Sequence, residues 1–217
     1  MRTIQVEVNY DFICPWCWIG QRNLAAALTE TGLDGVVSIR YVPFELNPSM
    51  PVEGMDRRSY RTRKFGSWAH SQEMDVQVAA AGAFAGVQFN YDKVLRTPNT
   101  RLAHRLMQFA QESNEAQKTA ALYRAIYAAY FSEGRDIGSL DALIAIAADH
   151  GFDADTVRRY LLSGAGNDKV DAARERADAR GIQSVPTTVI DGDAISGAQP
   201  PVVFTQALRS AALRSAA

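Results

Sequence analysis

The two cysteines of the 217-residue chain stand three positions apart, in Cys14-Pro15-Trp16-Cys17. Two sulfurs at that separation can make and break a disulfide, and so store and release two electrons. If a helix opens here, Cys14 is its N-cap, Pro15 takes the first helical position and Cys17 the third. The Cys14 side chain then faces the unpaired N–H groups of Trp16 and Cys17 and the positive end of the helix dipole, which favours a thiolate at an exposed tip. Cys17 points back into the fold. Helix neighbours three apart have Cβ atoms roughly 5–6 Å apart, near enough for a disulfide to close with small adjustments.

Other uses of the pair fit less well. A structural disulfide across so short a loop constrains the unfolded chain little. Zinc usually takes four ligands, and His70, His104 and His150 lack the spacing of a ligand pair. Asp11, three residues before Cys14, is placed to tune the thiols or to pass a proton to Cys17; the plainer task for such an aspartate is to stabilise the turn. Trp16 and Trp18 flank Cys17 and can form an apolar rim for a peptide or small thiol, with the core as the alternative place for Trp18.

The whole chain bounds these readings. Lys and Arg number 23 against 24 Asp and Glu, and no basic stripe interleaved with aromatics argues for a nucleic-acid partner. No apolar stretch approaches the ~20 residues of a membrane span. Met1-Arg2-Thr3-Ile4 runs into a strand pattern without a leader peptide. The expectation is a soluble cytoplasmic protein, where thiols stay reduced and a paired-cysteine motif is catalytic rather than structural.

The elements that must hold the cysteines follow from periodicity. Ile4, Val6, Val8 and Tyr10 alternate with Gln5, Glu7 and Asn9, the period of a strand leading straight into Cys14. A helix from about Pro15 carries Leu24, Ala27 and Leu28 and stops at Gly32. Val36 to Leu46 reads as a second strand interrupted by Pro43, and the strand-helix-strand order predicts a parallel pair. From 47 to 166 the pattern is helix after helix. One follows Asn99-Thr100 with Leu102, Leu106 and Ala110. Another carries Leu122, Tyr123, Ile126, Tyr127 and Tyr130, most simply as packing. A third is capped by Ser139 and a fourth by Asp153. A helix from about Asp168 to Arg180, a strand from Val185 to Ile190, a turn at Asp191-Gly192-Asp193, a return strand and a helix starting at Pro200-Pro201 complete the chain, with fraying expected of the last alanines. The division is a discontinuous sheet domain, 1–46 and 167–217, with 47–166 as a helical insertion lobe.

This order resembles an α/β thioredoxin-like fold with a large all-helical insertion, of the DsbA type, and locally its FrnE-like branch. The resemblance rests on Cys14-Pro15-Trp16-Cys17 with Ile19-Gly20, Pro43-Phe44-Glu45-Leu46-Asn47-Pro48, Pro98-Asn99-Thr100 with Ala103-His104-Arg105-Leu106, Val185-Pro186, and Ser196-Gly197-Ala198-Gln199. It implies a thiol–disulfide oxidoreductase with no metal or bound organic cofactor, and the sequence leaves both a monomer and a homodimer open. Its partners would be protein or small-molecule disulfides, with glutathione a candidate co-substrate. It implies that Cys14 attacks and Cys17 resolves, and that the Val185–Pro186 bond is cis and faces the cysteines, leaving the Val185 backbone to pair with an extended substrate. Trp16, Asn99 and His104 would line the substrate groove, although a lone histidine on such a helix is usually structural. Kappa-class glutathione transferases and 2-hydroxychromene-2-carboxylate isomerases are similar in build and define the alternative function. They typically place Ser where Cys14 stands and lack the second cysteine.

Overall fold

The computed structural model describes residues 2–216. Strand β1 (Ile4–Tyr10) buries Ile4, Val6, Val8 and Tyr10 on the face that the alternation predicts. It also buries Asn9, whose side-chain amide donates to the Thr187 carbonyl at 3.0 Å. Helix α1 (Pro15–Thr31) follows after a short turn. Cys14 is its N-cap, Pro15 takes the first position, and Gly32 ends it at φ 65, its N–H turned back to the Leu28 and Thr29 carbonyls.

Strand β2 (Val37–Pro43) lies parallel to β1, with Ile4 opposite Val37 and Tyr10 opposite Pro43. Pro43 closes this strand rather than interrupting it. Having no N–H to pair, it takes the last position, and the next amide, Phe44 N–H, donates to the Tyr10 carbonyl at 2.9 Å.

The chain then leaves the sheet for β3 (Met55–Asp56), α2 (Arg57–Phe65), α3 (Trp68–Phe84), β4 (Arg96–Thr97), α4 (Arg101–Glu112), α5 (Ala116–Phe131), α6 (Leu140–Asp149) and α7 (Ala154–Leu162). Ser139 and Asp153 cap α6 and α7 through the Ala142 and Thr156 amides. The segment is helical apart from β3 and β4, an antiparallel ribbon pairing Met55 with Thr97 and Asp56 with Arg96. Two residues a side carry no readable period, so this ribbon left no trace in the sequence pattern.

After α8 (Asn167–Ala179) the chain returns through β5 (Thr187–Ile190), antiparallel to β1, and β6 (Asp193–Ser196). Asp191 and Gly192, at φ 51 and 100, make the hairpin between them. The sheet order is β2-β1-β5-β6. Helix α9 (Pro201–Ala216) packs on α1 and persists into the alanine-rich end expected to fray, while Ala217 lies outside the described residues.

One buried cluster joins Val6 and Val8 of the sheet to Leu24 and Leu28 of α1, Phe204 and Leu208 of α9, and Leu122 and Ile126 of α5. Trp18 belongs to this core. Its ring lies nearly parallel to Tyr127 and Phe131, 6.1 Å from each centroid, so α1 is keyed to α5 beside the second cysteine.

Candidate active site

Both cysteines are free thiols at the start of α1, and their surroundings differ. Cys17 is wholly buried and Cys14 is 6 % exposed, so the first sulfur is more enclosed than the exposed tip expected of it. The expected bonds from Cys14 to the Trp16 and Cys17 amides are not made. The Cys17 N–H instead closes on the Cys14 carbonyl at 3.1 Å, and the Cys14 thiol turns to donate to the Val185 carbonyl at 3.6 Å.

That carbonyl belongs to a loop seated on α1. The Val185–Pro186 peptide is cis, the Pro186 carbonyl accepts from Gly197 N–H at 2.8 Å, and the Asn23 amide donates to the Gln199 carbonyl at 2.9 Å. Gly20 makes the approach feasible. A Cβ there would stand 3.3 Å from Pro186 Cγ and 3.5 Å from Ala198 Cα. A glycine inside a helix costs about 1 kcal/mol against alanine, and this close approach is the structural reason for one here. Cys14, Val185, Pro186 and the Ser196–Gln199 segment are therefore brought together, with Trp16, 41 % exposed, on the first turn beside them.

Asp11 lies behind the cysteines with no solvent exposure. Its carbonyl accepts from Cys14 N–H at 3.0 Å and from the Tyr127 hydroxyl at 2.9 Å, and its Oδ2 accepts from Leu46 N–H at 2.7 Å. Its Oδ1 stands 3.3 Å from His104 Nε2, also wholly buried. His104 thus lines no substrate groove. The apolar face of α4 turns it inward, between Tyr10 and Phe12, where it meets Asp11. Asn99 is likewise committed elsewhere, its amide donating to the Met50 carbonyl at 2.7 Å and accepting from Arg101 N–H at 2.9 Å. Both polar atoms serve the turn into α4.

Burial pushes the Cys17 thiol well up, the neighbouring Cys14 adds to this, and the Asp11 carboxylate opposes a second negative charge; the Asp11 backbone amide, aimed at the sulfur, partly offsets them. Burial likewise holds Tyr10, Tyr123 and Tyr127 protonated far above the usual phenol range. Sequence reasoning missed Tyr127 and Gly20 as site residues. The glycine left a signal, an unexplained break in helix propensity one turn after Cys17, whereas Tyr127 looked like any packed aromatic. Among the described residues no cluster of three or more His, Cys, Asp or Glu is arranged to hold a metal, and no helix is long and apolar enough to cross a membrane.

Known proteins share this fold. A probable DsbA oxidoreductase from Streptomyces coelicolor is 30 % identical, with a TM-score of 0.86 over 96 % of this chain and 89 % of that one. The cytosolic disulfide reductase DsbM from Pseudomonas aeruginosa, also solved with GSH, has the same fold at 21 % identity and a TM-score of 0.69, over 97 % of this chain and 98 % of its own. So has a 2-hydroxychromene-2-carboxylate isomerase, at 17 % identity and a TM-score of 0.70, covering 98 % of each chain. The DSBA-like thioredoxin domain matches residues 5–209, nearly the whole chain, and the protein belongs to that family.

Proposed function

We propose that this protein is a thiol–disulfide oxidoreductase of the FrnE-like branch, exchanging disulfides with protein or small-molecule thiols. The observation that carries the reading is the unequal pair at the head of α1. Cys14 keeps a small exposed surface beside an exposed Trp16 and the Val185 backbone, and Cys17 is wholly buried behind it. Cys14 attacks a substrate disulfide to give a mixed disulfide, and Cys17 displaces the substrate by attacking the Cys14 sulfur. The electrons rest in the sulfur pair, so the exchange calls for neither metal nor organic cofactor. An extended substrate pairs with the backbone at Val185 and rests on Trp16 and Pro186. Glutathione is a fitting co-substrate, in keeping with the related reductase solved with GSH, and a reducing cytoplasm suits a thiol pair of this kind. The isomerase shares the fold, but a pair of cysteines argues for electron exchange over thiol binding alone.

The test uses oxidised glutathione and a disulfide-bonded protein as substrates. Cys14→Ser is expected to abolish exchange, and Cys17→Ser to accumulate mixed disulfides detectable by mass. Full exchange in Cys14→Ser would exclude the mechanism. Conjugation or isomerisation that survives in Cys17→Ser, with no redox turnover in the wild type, would favour the glutathione-transferase class instead.

A further inference from the structure

Strand β2 is an edge of the sheet, and one side of its backbone has no strand beside it. Phe44 N–H donates to the Tyr10 carbonyl, which fixes the alternation along the strand. The even-numbered residues of β2 turn their backbone groups to β1, and Val37, Ile39 and Tyr41 turn theirs outward. An open edge is a template for another chain, and folded proteins usually blunt it. Here only the far end is blunted, by Pro43 and by Gln111 of α4. Among the described residues no hydrogen bond reaches the outward groups of Val37 or Ile39.

The Gln111 contact shows what this edge accepts. Tyr41 N–H donates to Gln111 Oε1 at 2.8 Å, and Gln111 Nε2 donates to the Tyr41 carbonyl at 3.1 Å. A side-chain carboxamide thus exchanges both bonds with one residue, as a residue of an added antiparallel strand does. Ile39 and Val37, the next outward positions, lie along the floor of a groove of about 760 Å3.

The two walls of the groove differ. Tyr41 stacks on Tyr123 of α5 at 4.2 Å, so the side chains of Val37, Ile39 and Tyr41 lie on the α5 side, where Ala116 and Ala120 form an apolar wall. The opposite face of β2 carries Arg40, which shares the Glu7 carboxylate with Arg180; Arg176 of α8 stands beside them with no ion pair among the described residues. Three guanidinium groups therefore face one carboxylate on this wall. Of the carboxylates lining the groove, Glu112 is paired with Lys169 and Glu115 with Lys118, and Asp34 precedes the strand. The edge is recessed between α5 and α8, so the β2 edge of a second copy, recessed in the same way, cannot meet it. A single extended segment can.

We infer that the free edge of β2 binds an extended polypeptide segment as an added antiparallel strand, one whose side chains alternate between apolar and acidic. Residues paired across an antiparallel ladder share a face. Apolar side chains opposite Ile39 and Val37 then meet Ala116 and Ala120, and the carboxylates between them meet Arg40 and Arg176. An unfolded protein or a terminal tail offers such a segment. The groove lies on the side of β1 away from the Pro186 loop, so the inference does not rest on the redox reading.

The probe is a fluorescein-labelled heptapeptide of alternating valine and glutamate, capped at both ends, titrated with the reduced protein and followed by anisotropy. Binding is expected, and lysine in place of glutamate should abolish it. A peptide N-methylated at the valine amides, which face the edge, should not bind. One N-methylated at the glutamate amides, which face away, should bind like the parent. Arg176→Ala should weaken the parent's binding about fivefold, the upper range for one exposed charge pair, and added salt should weaken it as well. No binding by the parent, or equal binding by the two N-methylated peptides, would overturn the inference. So would a dimer in sedimentation velocity that Ile39→Pro converts to monomer, since that change deletes an outward N–H and spares the β1 ladder, and the edge would then belong to a second copy. None of these results bears on exchange with oxidised glutathione, whose loss or survival in Cys14→Ser decides the redox reading alone.

Discussion

At the scale of single residues, the site depends on groups that hold Asp11 as much as on the sulfurs. Tyr127 donates to the Asp11 carbonyl at 2.9 Å from α5, far away in sequence, and its ring lies nearly parallel to Trp18. Tyr127→Phe keeps the ring and removes the donor. It is expected to lower unfolding stability by about 1 kcal/mol, the net worth of one buried hydrogen bond, as read from urea denaturation. Differential alkylation tests the inequality of the thiols: iodoacetamide should label Cys14 in the folded reduced protein and Cys17 only after unfolding. Equal labelling of both in the native state would contradict the burial that separates them. The cysteines were legible in the sequence because their spacing alone carries chemistry. The destination of His104 was not. It depends on which face of α4 meets β1, a long-range packing choice with no local signature.

At the scale of elements, α1 and the Val185–Pro186 loop fit closely, with Gly20 as the contact point. Replacing it by alanine brings a Cβ to 3.3 Å from Pro186 Cγ, a squeeze of a few tenths of an ångström. The gain in helix propensity, about 1 kcal/mol, offsets it. Gly20→Val adds branches that the Pro186 ring and the Ala198 backbone cannot both evade, an overpacking that costs about 1–3 kcal/mol. Thermal melts should leave Gly20→Ala close to the wild type and Gly20→Val clearly lower. Exchange in the valine variant should fall further than its stability accounts for, because the loop carries the carbonyl that faces Cys14. Boundaries of this kind were readable wherever a residue type enforces them. Pro15 and Gly32 delimit α1, Ser139 and Asp153 start α6 and α7, and Asp191-Gly192 turns the final hairpin. The β3–β4 ribbon and the seat of the Ser196–Gln199 segment depend on partners distant in the chain, which propensity does not encode.

At the scale of the molecule, one core joins the sheet, the cysteine helix and the insertion, and buried titratable groups in it couple stability to pH. Cys17 is pushed up by burial, as are Tyr10, Tyr123 and Tyr127, and Tyr41 is pushed up to about 12. Each keeps its proton in the folded state at a pH where the unfolded chain has released it, so the unfolded state binds fewer protons and stability declines as pH rises. Below about pH 8.5, the ordinary thiol range, both states are protonated and these groups cost nothing. Above it, Cys17 removes about 1.4 kcal/mol for each further pH unit until its folded thiol ionises, and beyond about pH 10 the tyrosines add their own slopes. Urea denaturation of the reduced protein across this range should therefore show a plateau, a first decline and a steeper second one. Cys17→Ser removes a titrating group and keeps the tyrosines, so its first decline should be shallower and its second retained. A first decline of equal slope in the variant would mean that the second sulfur is not the sealed thiol on which its role as the resolving partner depends.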